Sequence, residues 1–200
     1  MSDWLELHQA HRKLRAEGGS SLGDIRRVLR QLTTRKHAEP SLNNRFTYLK
    51  NSETGLRDWY IAAPRSGVKA KEWSEPLHQL APDIAEARLT LLALTDTSNT
   101  RLGKLSVMIE GKSVTSGPFV VAAHLDDRHM GSGACGHSLF HCHVGPSFET
   151  PPAVRVPLPA LRPAATLEWA LSVVLPDWEP VPWPDVVVDT ERRRAQGLTT

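Results

Sequence analysis

An α+β fold, a mainly antiparallel sheet with an N-terminal helical hairpin and a C-terminal helix, is what this 200-residue sequence predicts. Three observations carry that reading. Apolar residues recur at helical spacing near both ends of the chain, they alternate with polar ones along several short segments in the middle, and Asn/Thr/Gly-rich turns divide those segments.

The elements follow in order. Asp3-Trp4-Leu5-Glu6 reads as a capping box, in which Asp3 accepts amide protons and Glu6 reaches back. Trp4, Leu7, His11 and Leu14 then keep helical spacing, and Gly18-Gly19 stops the helix. A second helix opens at Ser21–Asp24, with Ile25, Val28, Leu29 and Leu32 on one face and Arg26, Arg27 and Arg30 on the other. Joined by GGSS, the two form a helical hairpin. Phe46–Leu49 and Trp59–Ile61, around a turn at Ser52–Gly55, read as a β-hairpin. Residues 64–82 carry Pro, Gly and charge, as a loop or a short helix does. Strands are expected at 88–96, 104–111, 118–126 and 138–145, with an edge strand at 153–159, where proline is tolerated. Pro163 suits the first turn of a helix with Leu167, Leu171 and Val174 on one face, ending at Pro176. The expected organisation is a helical hairpin over 1–38, an α+β core over 39–188 and a disordered tail over 189–200.

Charge is unevenly spread. Residues 1–50 hold ten Lys/Arg and five Asp/Glu, a net of +5, although the whole chain is only +2. A basic helical region attracts nucleic acid or an acidic partner; a solvated helix face is the plainer explanation. The Pro/Trp-rich C-terminal region, with Trp178 and Trp183, offers either anchors for the tail or a surface for a protein partner. The N-terminus has no apolar signal region, and the longest apolar runs, such as 89–94, are too short to span a bilayer. No membrane association is expected. Two cysteines seven residues apart make no disulfide framework, which suits a cytoplasmic protein with reduced thiols.

Chemistry concentrates in one region. Residues 133–145 read GACGHSLFHCHVG and residues 124–129 read HLDDRH, so five of the nine histidines fall between His124 and His143. On a strand, His141 and His143 project to one side, roughly 7 Å apart at Cα, while Phe140, Cys142 and Val144 project to the other. An antiparallel pairing with 118–126 brings His124 and Asp126 to the same side. Imidazole and carboxylate ligands suit a divalent transition metal ion, zinc first. Three protein ligands and an open position would produce a nucleophilic water at neutral pH. The favoured set is His124, His141 and His143 as ligands and Asp126 as catalytic base, with His129, Cys135 and His137 as additional ligands from the glycine-containing loop. Arg155 and Arg162 flank the strand that leaves this region and could bind an anionic substrate group.

The function this composes is a metal-dependent hydrolase acting on phosphodiester or nucleic-acid substrates. The alternative is a non-catalytic interaction or adaptor subunit, in which the histidines are structural. They would then be polar surface residues or a closed zinc knuckle of Cys135, His137, His141 and His143. A metal-free acid/base or binding constellation is a third use of the same residues. There is no Gly-Lys-Ser/Thr phosphate loop, no GxGxxG and no G-x-S-x-G elbow. Cys142 is expected in the core, turned away from the histidines.

Overall fold

The computed structural model describes residues 2–61, 74–125, 140–147 and 154–182, with side chains described from Leu5 onward and not for residues 154 and 155. Three helices lie on one face of an eight-stranded sheet: α1 (Ser2–Glu17), α2 (Ile25–Thr34) and α3 (Pro163–Val174). The strands are β1 (Thr47–Lys50), β2 (Arg57–Tyr60), β3 (Glu75–Pro76), β4 (Ile84–Thr95), β5 (Leu102–Ser113), β6 (Gly117–Leu125), β7 (Phe140–Gly145) and β8 (Val154–Pro157). They run in the order β1-β2-β4-β5-β6-β7-β8, with β3 paired to β4 off that path, and every pairing is antiparallel. The fold is α+β, and no described helix is long and apolar enough to cross a membrane.

Alternation along the strands explains the layering. Leu89, Leu91 and Ala93 on β4, Leu105, Val107 and Ile109 on β5, Ala123 and Leu125 on β6, and Phe140 and Cys142 on β7 all point to the helices. Ile25, Val28, Leu29 and Leu32 of α2, with Leu14 of α1 and Leu167, Leu171 and Val174 of α3, meet them in one continuous core. Residues 1–38 therefore share their apolar contacts with the sheet instead of closing on themselves. The expected disordered tail, 189–200, lies outside the described residues.

Two details depart from the sequence reading. The GGSS connection is a 3-10 helix over Gly18–Asp24, and its glycines serve a close approach as well as a helix end. The Gly19 N–H donates to the Thr100 carbonyl at 3.0 Å, and a Cβ on Gly19 would stand 2.8–3.0 Å from the carbonyl oxygens of Asn99, Thr100 and Arg101. The arginines, in turn, hold this chain's own segments. Arg26 donates to the Phe46 carbonyl and lies over the Phe46 and Trp59 rings. Arg27 donates to the Pro182 carbonyl, and Arg35 donates to the Asp177 carbonyl and pairs with Glu179. The 177–182 segment is thereby strapped over α2, with Trp178 and Val181 buried and the Val181 N–H bonded to Glu168 Oε1 at 2.6 Å. Over these residues Trp178 and Val181 anchor the segment to the body while Asp177, Glu179, Pro180 and Pro182 stay exposed; Trp183 lies outside the described residues.

Candidate functional site

Behind the aliphatic face, the same strands present a polar row to the other side. Register places Ser106 of β5 opposite His124 of β6, and His124 opposite His141 of β7. One pair further along, Met108, Ala122, His143 and Arg155 occupy successive positions across β5–β8. A period-2 strand thus turns His124, His141 and His143 to one side and Cys142 to the other. His141 and His143 are buried, at 8 % and 5 % exposure, His124 is half-buried, and Ser106 is buried.

The three imidazoles gather closely. The Nε2 atoms of His141 and His143 stand 2.9 Å apart, a hydrogen bond in which one ring donates and the other accepts. Ring centroids are separated by 4.8 Å for His141–His143, 5.2 Å for His124–His143 and 6.1 Å for His124–His141. Imidazoles bound through one nitrogen to a common tetrahedral ion at about 2.0–2.1 Å would have centroids roughly 5.2 Å apart and donor nitrogens roughly 3.3 Å apart. The rings are spaced near those values. As they stand, however, no group of three or more His, Cys, Asp or Glu among the described residues is arranged to hold a metal ion.

The other expected site residues are distributed unevenly. Asp126, His129, Cys135 and His137 lie outside the described residues. Arg155 occupies the register position opposite His143. Arg162 is elsewhere: it precedes α3 and lines a cleft of about 260 Å³ with Leu14, Glu17, Ser20, Ser21 and Asp24 of the helical layer. Flanking the same strand in sequence did not bring Arg155 and Arg162 together, because the chain turns from the sheet into the helical layer between them. Cys142 sits in the core at 5 % exposure, and burial pushes its thiol above the usual cysteine range. That is the opposite of an activated thiolate.

Two residues were not singled out as part of this region from the sequence. Ser106 shares the histidine face, and the alternation of KLSVMIEG was its available signal. His11 of α1 fits the apolar stripe of its helix and is 1 % exposed. Its Nε2 donates to the Leu158 carbonyl at 2.7 Å, and its ring meets Phe140 edge-on at 5.9 Å. Burial lowers its pKa, opposed by the bond to Leu158 and assisted by His8 and His141. His11 thus braces the segment directly behind His141 from the helical side.

No family model, curated protein or solved structure matches this chain.

Proposed function

We propose that the chain is a metal-dependent hydrolase whose centre is built on His124, His141 and His143. The observation that carries this is the convergence of three imidazoles from two adjacent strands, with centroid spacings of 4.8, 5.2 and 6.1 Å. Histidine is the ordinary ligand of zinc and of several other divalent transition metals, and three of them leave a fourth position for water. Zinc is the first choice of ion, and Asp126 remains the proposed base. Arg155, opposite His143, is the support for an anionic substrate such as a phosphodiester. A nucleic-acid substrate gains nothing from Arg26, Arg27 and Arg35, which are engaged with this chain's own carbonyls and rings.

A second reading, a non-catalytic interaction subunit, is favoured by two observations. His141 already has His143 as a hydrogen-bond partner, and the edge strand β1 exposes Tyr48 and Leu49 at 40 % and 60 %. One measurement separates the two. Protein purified without a histidine tag should carry about one transition-metal ion per chain by elemental analysis, and His141→Ala and His143→Ala should each lower that occupancy. Metal-free protein that gains no thermal stability from zinc, manganese or nickel would rule the hydrolase out.

A further inference from the structure

We infer that His11 is a positioning residue for the histidine centre: from the helical side of the sheet it clamps the end of β8 onto β7 and so holds His141 within reach of His143. The inference rests on the metal-centre reading for its purpose, although the clamp itself exists without metal. The sequence leaves this end of β8 poor in backbone donors. His141 faces Pro157 in the β7–β8 register, and Pro159 follows two residues later. Neither proline carries an N–H. Leu158 is therefore the one residue of Pro157-Leu158-Pro159 with a backbone donor, and its N–H goes to the Phe140 carbonyl at 3.2 Å. The Leu158 carbonyl receives the His11 Nε2–H at 2.7 Å. A buried carbonyl left unpaired is costly, so this second bond fixes Leu158 where the ladder alone is thin.

His11 thereby touches both residues that set the place of His141. Phe140, fully buried, precedes His141 in the chain and meets the His11 ring edge-on at 5.9 Å. Leu158 follows Pro157, the register partner of His141. Side chains alternate along a strand, so a Phe140 held toward the helices directs His141 to the opposite side. The His141–His143 contact depends on that placement: its Nε2 atoms stand 2.9 Å apart, and a displacement of about 1 Å would part them. Histidine is also a costly choice at position 11. The residue lies in the apolar stripe of α1 at 1 % exposure; leucine would fill such a position with better helix propensity and no polar atom to desolvate. Burial lowers the His11 pKa, so at neutral pH the ring carries one N–H, which the Leu158 carbonyl assigns to Nε2.

The test uses the full chain, labelled with ¹⁵N-histidine and free of any histidine tag, at pH 8, where an unperturbed imidazole is neutral. Metal-free wild type should show His11 as the Nε2–H tautomer. His11→Phe keeps a ring against Phe140 and removes the donor. Ring nitrogen shifts of His141 and His143 should then move, and zinc affinity should fall about 10-fold, the lower end of what loss of an outer partner costs. His11→Gln, which carries an N–H donor at similar reach, should restore both. Leu14→Ala, one turn along the same helix, should lower the melting temperature through a core cavity and leave ring shifts and zinc affinity at their wild-type values. An Nδ1–H tautomer of His11 in the wild type overturns the inference even if no variant folds. Leu14→Ala matching His11→Phe in both readouts also overturns it, since the effect is then a general loss of packing. If zinc binds and His11→Phe alters neither ring shifts nor affinity, the positioning role fails and the metal centre stands. If the ring shifts respond but zinc never binds, the metal centre fails and the clamp on His141 stands.

Discussion

Deleting residues 1–38 should abolish cooperative folding, and the size of the effect follows from what those residues bury. Leu14, Leu22, Ile25, Val28, Leu29 and Leu32 are each at most 5 % exposed and belong to the same core as Leu89, Leu91, Leu105 and Val107 of the sheet. At about 1.5–3 kcal/mol for each fully buried aliphatic side chain, the six represent roughly 9–18 kcal/mol of gross burial. Deletion also removes the ordering cost of those residues, which offsets part of that loss. It offers no offset for the sheet face and α3, whose leucines and valines would meet water. Set against a domain's typical net stability of about 5–15 kcal/mol, the loss is decisive. The capping signals and charge balance of 1–38 suggest a unit of its own, but its apolar contacts say that the unit is half of a core. Urea titration followed by circular dichroism in the far and near ultraviolet tests this. The truncated chain should lose its near-ultraviolet signal and its sigmoidal transition. Leu29→Ala in the full chain gives the graded version: a cost of about 2–5 kcal/mol and a clear fall in the urea midpoint. A truncated chain that unfolds cooperatively, with a slope in proportion to its length, would refute the shared-core argument.

His11 should make the protein acid-sensitive. Burial holds its folded-state pKa below 6.5, so the unfolded chain binds the proton more readily, and stability should fall as pH drops through 6.5 toward the folded value; His11→Gln should flatten urea midpoints measured between pH 7.5 and 5, and an unchanged slope would show that another group titrates. Gly19→Ala should cost about 1–3 kcal/mol, because the new methyl meets three backbone carbonyl oxygens that cannot turn aside; thermal melts equal to wild type would mean that the two turns separate freely. The Cys142 thiol should resist a thiol reagent at pH 7.5 until the protein unfolds, since burial both shields it and disfavours the thiolate. Rapid native labelling there would place Cys142 on the open side and reverse the assumed strand phase. Cys142→Ala should cost about 1 kcal/mol and leave metal occupancy unchanged.

The helices and the main strands were legible because their patterns are long. Ile25, Val28, Leu29 and Leu32 repeat over two turns, and β4, β5 and β6 are apolar-rich strands of nine residues or more. The two residues of β3 offer no period to read, and the buried Glu75 there is met by Arg45 from outside the sheet at 2.6 Å. Gly18-Gly19 announced a helix end but not the neighbouring β4–β5 turn, since close approach is a tertiary fact. The arginines in and just after α2 were visible as charge; the partners of Arg26, Arg35 and Arg27 at Phe46, Asp177 and Pro182 are 20 residues away or far more. Within the histidine region, alternation alone separated His141 and His143 from Cys142. Bringing His124 to the same side needed the strand register, and Ser106 needed one strand more.

The two sides of the sheet obey different rules, and that difference is itself informative. The helical side is filled with leucine, valine and isoleucine, as packing alone would choose. The other side buries Thr90, Ser106, His141 and His143 where apolar side chains of similar size would cost nothing in desolvation. Thr90 Oγ1 is among the buried polar atoms that find no hydrogen-bond partner. A polar set on a buried face lowers stability unless each member is satisfied, and such departures from local consistency concentrate where a chain does chemistry or binds. The aliphatic face accounts for why this sequence folds. The histidine face, with Thr90 and Ser106 beside the imidazoles, spends stability that folding alone does not require.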